Sequence, residues 1–214
     1  MLDLVLPVHC GGCGTPATRW CARCAAELAV RADHPHLISP RVDPGVPVFS
    51  LGRYAGARRR AIVAVKERGR TDLILPLAGA LTGGVDRLLR WGMVAAPVTL
   101  VPAPTRVTAA RRRGGDPVAR MAGAAGEHLG LAAAPMLRMA ALARDSVGLT
   151  AAARQRNVAG RVVARRRRRG APGCVATVLL VDDIVTTGAT AAESVRVLRA
   201  IGATVTAVLV LAHA

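Results

Sequence analysis

The sequence predicts an α/β domain with a mainly parallel sheet, preceded by a small segment that is rich in cysteine. From Val48 onward, short apolar runs alternate with Ala- and Arg-rich helical stretches, which is typical of strands joined by crossover helices. Four of the five cysteines fall within residues 1–30, and residues 31–47 contain four prolines with little apolar periodicity. We therefore divide the chain into a cysteine segment (1–30), a proline-rich linker (31–47) and an α/β domain (48–214).

The elements of the α/β domain follow from the hydrophobic pattern. Its predicted strands are the apolar runs Val48–Tyr54, Val98–Val101, Val175–Val181 and Thr204–Leu211. Its predicted helices are Arg58–Lys66, Leu73–Leu89, Pro117–Leu129, Thr150–Val163 and Ala191–Ile201, and Gly202 ends the last of them. Because most strands are separated by a helix, neighbouring strands are expected to run parallel.

The overall composition excludes disorder and a membrane span. Hydrophobic residues make up 52% of the 214 residues, which is enough for one domain with a sizeable core and a small appendage. No uninterrupted apolar run reaches the roughly 18 residues that a spanning helix needs. The N-terminal MLDLVLPVHC has an acid where a signal peptide has basic residues. We expect a cytoplasmic protein without membrane insertion.

The charge balance favours anionic partners. Thirty Lys and Arg residues stand against 13 Asp and Glu, a net charge of +17, which suits phosphorylated small molecules or a nucleic-acid backbone. Lys66 is the only lysine, so a general bias toward arginine is the plainer source of part of this charge. Aromatic residues are only 2% of the chain, which argues against a protein that stacks successive bases. Any affinity for nucleic acid is therefore expected to be electrostatic.

The cysteine segment has the spacing of a metal site. Cys10-x2-Cys13 and Cys21-x2-Cys24 supply four thiolates from two tight turns, the arrangement of closed structural zinc sites. An iron–sulfur cluster is the main alternative, whereas disulfides are disfavoured in a cytosolic chain. A segment this short has little core, so the metal is expected to supply much of its folding energy. We predict a small four-cysteine zinc ribbon.

The segment Val178–Thr190 is the most informative part of the chain. An apolar strand leads into Asp182 and Asp183, followed by the hydroxyl-rich turn Thr186-Thr187-Gly188-Ala189-Thr190 and then a helix. Free N–H groups at a helix start bind phosphate, and the threonines add hydroxyl donors. The two carboxylates are acceptors for a vicinal diol or ligands for hydrated Mg²⁺. Phosphate on one side and a diol on the other describe a ribose 5-phosphate.

Other phosphate-site motifs are absent from the sequence. The chain has neither G-x-x-x-x-G-K-[ST] nor G-x-G-x-x-G, which excludes the nucleoside-triphosphatase loop and the dinucleotide fingerprint. The five histidines are scattered and give no Ser–His–Asp or Cys–His arrangement, and His213 reads as part of the C-terminal tail. The run Arg165–Arg169 is either a nucleic-acid contact or a solvated loop.

The motif VLLVDDIVTTGAT resembles the phosphoribosyl-pyrophosphate (PRPP) motif of type I phosphoribosyltransferases. Together with the paired CxxC motifs, the chain resembles the ComF (GntX-like) family of competence-associated, phosphoribosyltransferase-like proteins. Landmarks in the family's order are Tyr54-Ala-Gly56, Lys66, Val101-Pro-Ala-Pro104, Arg111-Arg-Arg-Gly114 and Leu149–Asn157. They extend over nearly the whole chain.

The resemblance implies a fold, a ligand and an activity. It implies a type I phosphoribosyltransferase-like domain in which Asp182 and Asp183 hold the ribose hydroxyls and Thr186–Thr190 wrap the 5-phosphate. Lys66, Arg106 and Arg113 are candidate contacts for phosphate or pyrophosphate. The expected activity is Mg²⁺-dependent transfer of phosphoribosyl from PRPP to a nitrogen acceptor, a glycosyltransferase reaction. The alternative is a DNA-uptake factor that handles single-stranded DNA with proteins of the competence machinery and keeps the PRPP site as a sensor or relic.

Overall fold

The computed structural model describes residues 8–105, 115–140, 161–165 and 177–214. In chain order, the elements are α1 (Ala22–Leu28), β1 (His36–Ile38), β2 (Val48–Ser50), α2 (Gly56–Arg68), a 3-10 turn (Thr71–Leu73), α3 (Ile74–Arg90), β3 (Thr99–Pro102), α4 (Pro117–Leu129), β4 (Ala132–Ala133), β5 (Leu137–Met139), β6 (Val162–Ala164), β7 (Thr177–Val185), α5 (Ala189–Ala200) and β8 (Thr204–His213). Helices and strands alternate along most of this order, as the hydrophobic pattern predicts.

Six of the strands form one sheet, in the order β1-β2-β8-β7-β3-β4. The pairings β2–β8, β8–β7, β7–β3 and β3–β4 are parallel, and only the edge strand β1 pairs antiparallel. A separate two-stranded antiparallel sheet joins β5 and β6. The prediction of a mixed α/β fold with a mostly parallel sheet is confirmed.

Both faces of the central sheet are covered, which explains why its longest strands are almost continuously apolar. One face packs against α2, α3 and α4, where Leu77 and Leu81 meet Leu179 of β7. The other face packs against α5, where Leu198 meets Leu180 of β7. These five leucine side chains are at most 2% exposed. The core thus fixes β7 and β8 from both sides and leaves their carboxyl ends at one edge of the sheet.

The two helices predicted in the middle of the chain have different outcomes. Helix α4 has the predicted bounds, because Asp116 caps it by accepting the N–H groups of Val118 and Ala119. The helix predicted at Thr150–Val163 is wrong at its C-terminal end, where Val162–Ala164 forms β6. Residues 150–160 of that prediction lie outside the described residues.

The predicted strand boundaries also shift. The first strand stops at Ser50 and does not reach Tyr54. Strand β7 continues four residues past the predicted end at Val181, to Val185, so the acid pair lies inside the strand.

The proline-rich segment 31–47 is more than a linker. It contains β1, whose residues His36–Ile38 pair with β2 and extend the central sheet. Further along, the Val42 N–H donates to the carbonyl of Thr187, so the segment also contacts the turn after β7. In the described ranges, no helix is long and apolar enough to cross a membrane.

Candidate functional site

The acid pair and the hydroxyl-rich turn lie at the carboxyl edge of the sheet. Strand β7 runs between β8 and β3 and carries Asp182 and Asp183 near its end. Residues 186–188 then turn the chain into α5, whose N-terminus lies next to the strand end. Open α/β sheets bind ligands at this edge, where several loops converge above the strands. The predicted strand–turn–helix unit is therefore present.

Lys66 reaches this edge from α2 and pairs with the second acid. Its Nζ lies 2.7 Å from Oδ1 of Asp183. The Asp183 side chain is 8% exposed, whereas the Lys66 side chain is 37% exposed. An ammonium at this distance compensates a carboxylate that would otherwise be costly to bury. The only lysine of the chain was expected to contact phosphate, and in this structure its described contact is with a carboxylate.

Asp182 has a different electrostatic environment from its neighbour. Its Oδ1 accepts the backbone N–H of Asp183 at 2.8 Å. Burial raises the pKa of Asp182 well above its ordinary value, the adjacent Asp183 charge raises it further, and Lys66 opposes the rise. Two adjacent carboxyl groups with one nearby ammonium favour hydroxyl donors or a cation as additional partners. These are the groups that a ribose diol or a hydrated divalent ion offers.

The turn after β7 depends on a glycine. Gly188 has φ +87°, in the left-handed region that side chains disfavour. A Cβ there would also collide with the carbonyl oxygen of Val42 and with Pro40. The glycine therefore lets the chain's own 40–42 segment approach the turn.

The donors of this turn remain at its surface. Thr186 is exposed, and Thr187 and Thr190 are half-buried. The Ala189 N–H donates to Oγ1 of Thr187 at 3.4 Å, and Gly188 has no side chain to cap α5. The helix start therefore combines unsatisfied backbone donors with nearby hydroxyls, which suits an anion.

The neighbouring strand β3 brings a second loop to the same edge. The Ala103 N–H donates to the carbonyl of Val181 at 2.8 Å, so the VPAP loop begins beside the acid pair. Thr105 continues this loop and donates to Oδ1 of Asp116, the residue that caps α4.

The arginines predicted to bind anions are mostly beyond what the structure describes. Arg106 and Arg113 lie outside the described residues, as do Arg166–Arg169. Arg165 follows β6, and its Nε donates to the carbonyl of Leu137 at 3.0 Å. One member of the arginine run is thus part of a structural contact beside β5.

The four predicted metal ligands come together. The Sγ atoms of Cys10, Cys13, Cys21 and Cys24 all lie within 4.8 Å of one another, and those of Cys13 and Cys21 are 3.6 Å apart. A tetrahedral zinc site with Zn–S bonds of about 2.3 Å requires Sγ–Sγ separations of roughly 3.8 Å. All four cysteines are free of disulfides. The cluster could therefore bind a metal such as zinc.

The thiol electrostatics also suit a cation. Hydrogen bonds from the Thr15 hydroxyl and backbone N–H lower the pKa of Cys13 to about 5. Burial raises the pKa of Cys10, but N–H groups of the turn outweigh burial and the net shift is downward. Burial and the neighbouring thiol groups raise the pKa of Cys24. Crowding of thiolates is relieved when a divalent ion supplies the missing positive charge.

The cysteine segment packs directly on α2. Glu27 of α1 accepts the N–H of Ala57 in the first turn of α2 at 2.6 Å. Arg60 of α2 donates to the carbonyl of Gly12, which lies in the first CxxC turn. The segment is thus joined by hydrogen bonds to the helix that carries Lys66.

Sequence reasoning missed three histidines with defined contacts. His213 is the last residue of β8, where its Nδ1 lies 2.9 Å from Oγ of buried Ser50, so its assignment to a tail is wrong. His34 and His36 lie beside Asp33 in the proline-rich segment. The signal available in the sequence was the tripeptide His-Pro-His directly after an aspartate.

No protein-family model and no curated protein matches the chain. Its class is accordingly defined by its own fold and site. It is an α/β protein with a mostly parallel sheet, an acid pair and a hydroxyl-rich turn at one sheet edge, and a four-cysteine cluster.

Proposed function

We propose that this protein is a type I phosphoribosyltransferase-like enzyme that binds PRPP with Mg²⁺. The observation that carries the proposal is the placement of Asp182 and Asp183 near the end of β7, two residues before the Thr186–Gly188 turn that opens α5. This order brings carboxylate acceptors and the N–H and hydroxyl donors of the turn to one sheet edge, the combination that a ribose 5-phosphate needs. The sequence resemblance to the PRPP motif supports the same conclusion.

In this proposal, the turn binds the 5-phosphate. Backbone N–H groups at the start of α5 point out of the helix, and the helix dipole adds partial positive charge. The hydroxyls of Thr186, Thr187 and Thr190 add donors around the same position. Contact with Pro40 and Val42 supports the turn from behind and keeps its shape before a ligand arrives.

The carboxylates bind the ribose hydroxyls. Lys66 orients Asp183, because its ammonium lies 2.7 Å from the carboxylate. Asp182, whose pKa is raised, gains a favourable partner when a hydroxyl or a cation approaches. Mg²⁺ would neutralise the pyrophosphate and strengthen these contacts.

The proposed reaction is transfer of the phosphoribosyl group to a nitrogen acceptor. The nitrogen lone pair forms the new bond to C1′ of the ribose, and the C1′–O bond breaks so that pyrophosphate leaves with its electrons. The acid pair lowers the barrier by stabilising positive charge that develops on the ribose. Arg106 and Arg113, predicted from the sequence, neutralise the leaving pyrophosphate.

We also propose that the four-cysteine cluster holds one structural Zn²⁺. Four sulfur ligands close the coordination shell, so the ion has no open position for substrate. The cluster then stabilises the segment that contacts α2, and through α2 it supports the position of Lys66.

The test of the PRPP proposal is calorimetric titration of PRPP–Mg²⁺ into wild type and Asp183→Asn. The substitution keeps the shape but removes a charge that accepts from the diol. Loss of one charge-assisted hydrogen bond costs roughly 1.5–3 kcal/mol, so affinity should fall about 10- to 150-fold. Asp86→Asn is the matched control, because Asp86 lies on α3 and pairs with Arg90 at the surface.

Two results would contradict the proposal. Equal PRPP affinity in wild type and Asp183→Asn removes the acid pair from the ligand site. A similar loss in Asp86→Asn means that the effect is not local. Circular dichroism of both variants checks that the fold is kept, and a screen of purines, pyrimidines and amines for pyrophosphate release identifies the acceptor.

A DNA-uptake function is the second candidate, and the net charge of +17 is the observation that favours it. In that case the PRPP site serves as a sensor or relic, and single-stranded DNA binds elsewhere through arginines. The two functions differ in one measurable respect. An enzyme releases pyrophosphate from PRPP in the presence of an acceptor, whereas a DNA-binding factor does not.

A further inference from the structure

Three side chains of the proline-rich segment form a second cluster of metal-ligating atoms. The carboxylate of Asp33 lies 4.0 Å from Nε2 of His34 and 3.7 Å from Nε2 of His36. The two imidazole rings meet edge to face, with centroids 4.7 Å apart. One ligand atom from each residue lies within 4.8 Å of the other two.

These distances are close to those of a three-ligand metal site. With metal–nitrogen and metal–oxygen bonds of about 2.0–2.2 Å, tetrahedral ligands are separated by roughly 3.4 Å. The Asp33 and His36 side chains are 58% and 45% exposed, so small rotations can shorten the observed distances to those of a metal site. His34 is the fixed member, since its side chain is only 8% exposed.

The ring of His34 leaves one nitrogen for a ligand bond. Its Nδ1 is buried and has no hydrogen-bond partner in the described part of the chain. The proton of the neutral ring can therefore stay on Nδ1 without displacing any other contact, and Nε2 keeps its lone pair toward Asp33. A neutral imidazole with a free Nε2 is the usual form in which histidine binds a metal.

The surrounding charges select the kind of ion. Nε of Arg31 lies 3.4 Å from Asp33, and both side chains are mostly exposed, so this ion pair is weak. Only one carboxylate belongs to the cluster, which gives little attraction for Mg²⁺ or Ca²⁺. Two imidazoles and one carboxylate suit first-row transition metals such as Zn²⁺.

We propose that Asp33, His34 and His36 form a second transition-metal site with Zn²⁺ as its ion. Three protein ligands leave one coordination position open, as in zinc sites that bind water or a ligand oxygen. His36 lies in the same cross-strand row as Asp182: His36 pairs with Ser50, Ser50 with Val210, and Val210 with Asp182. Three strand spacings separate His36 from the acid pair by roughly 14 Å.

The test is metal stoichiometry in tag-free protein. Purified chain is stripped with a chelator under reducing conditions, titrated with Zn²⁺ and freed of loosely held ion by gel filtration before elemental analysis. Wild type should retain two ions, and His36→Gln and Asp33→Asn should each retain one. His128→Gln is the matched control, because His128 is an exposed histidine on α4, and it should retain two.

Cobalt distinguishes the two sites even where a variant folds poorly. Co²⁺ bound by thiolates gives strong sulfur-to-metal charge-transfer absorption, whereas Co²⁺ bound by nitrogen and oxygen gives only weak d–d bands. Cys21→Ser should lose the strong absorption and keep the weak bands, whereas Asp33→Asn should keep the strong absorption and bind one Co²⁺ fewer than wild type. One ion per wild-type chain, or two ions retained by both His36→Gln and Asp33→Asn, would overturn the proposal.

Discussion

At the residue scale, the two carboxyl groups of the acid pair differ in how well the protein compensates their charge. Asp183 is buried and has an ammonium at 2.7 Å, whereas the pKa of Asp182 is raised by burial and by its neighbour. A carboxyl group with a raised pKa in the folded state makes folding less favourable once it ionises. Such a cost is expected where a side chain is kept for a ligand and not for stability.

This imbalance predicts that Asp182→Asn raises stability at neutral pH. The folded state binds the Asp182 proton more tightly than the unfolded state, so stability falls as pH rises from the ordinary carboxyl pKa to the raised one. Asparagine does not ionise, so the variant avoids this loss of stability, and its side-chain oxygen still accepts the Asp183 N–H. Each kcal/mol gained raises the Tm by about 2–4 °C.

The measurement is the difference in Tm between Asp182→Asn and wild type at pH 7.5 and at pH 4. The difference should be positive at pH 7.5 and much smaller at pH 4, because pH 4 is close to the ordinary carboxyl pKa and most of the loss on ionisation is absent there. A variant that is less stable than wild type at pH 7.5 contradicts the prediction. The same variant should bind PRPP–Mg²⁺ more weakly, which separates stability from function.

At the scale of elements, the structure depends on contacts between segments that are far apart in the sequence. The start of α2 is capped by Glu27 of α1, and the turn before α5 is covered by residues 40–42. A carboxylate at a helix N-terminus satisfies a free N–H and interacts favourably with the helix dipole. The cysteine segment therefore stabilises α2 as well as its own turns.

We expect Glu27→Ala to destabilise the protein by about 1 kcal/mol, the usual cost of losing a helix cap. This corresponds to a Tm lower by about 2–4 °C for a chain of this size. Glu67→Ala is the control, because Glu67 is exposed near the C-terminal end of α2. The prediction is wrong if both alanine variants unfold at the same temperature as wild type.

Local signals predicted the long elements better than the short ones. The apolar run and the Asp-Pro start of α4 sufficed for its bounds, because its cap and its core face are both local. Strands β1, β4, β5 and β6 have only two or three residues each, too few for any periodic pattern. Their pairing is decided by the neighbouring strand. Val162 and Val163, predicted as helix, form a strand because β5 is available to pair with them.

At the scale of the whole molecule, the net charge predicts the mode in which the protein binds nucleic acid. With a net charge of +17 and few aromatic residues, the chain should bind single-stranded DNA mainly through phosphates. Its logarithmic affinity should decrease with the logarithm of the salt concentration, with a slope of about −0.7 per neutralised phosphate. Replacing Arg165–Arg169 with serine should flatten that slope, whereas Asp183→Asn should leave DNA affinity equal or slightly higher.

Fluorescence anisotropy with a labelled oligonucleotide at several salt concentrations measures this slope. Oligonucleotides of different sequence should bind alike, because phosphate contacts do not read bases. Affinity that is independent of salt, or a strong preference for one base, contradicts the electrostatic interpretation. As a control, five surface arginines on other elements are replaced with serine. This variant shows whether the change in the salt slope comes from Arg165–Arg169 or from the total charge.

The sequence by itself determined the features that depend on neighbouring residues. The paired CxxC motifs, the order of strand, acid pair, turn and helix, and the alternation of helices with strands can all be read locally. Only the tertiary structure decided that Lys66 meets Asp183 and that Pro40 and Val42 cover Gly188. These contacts arise because buried charges need partners and close-packed backbones need space, and the folded core decides which segments supply them.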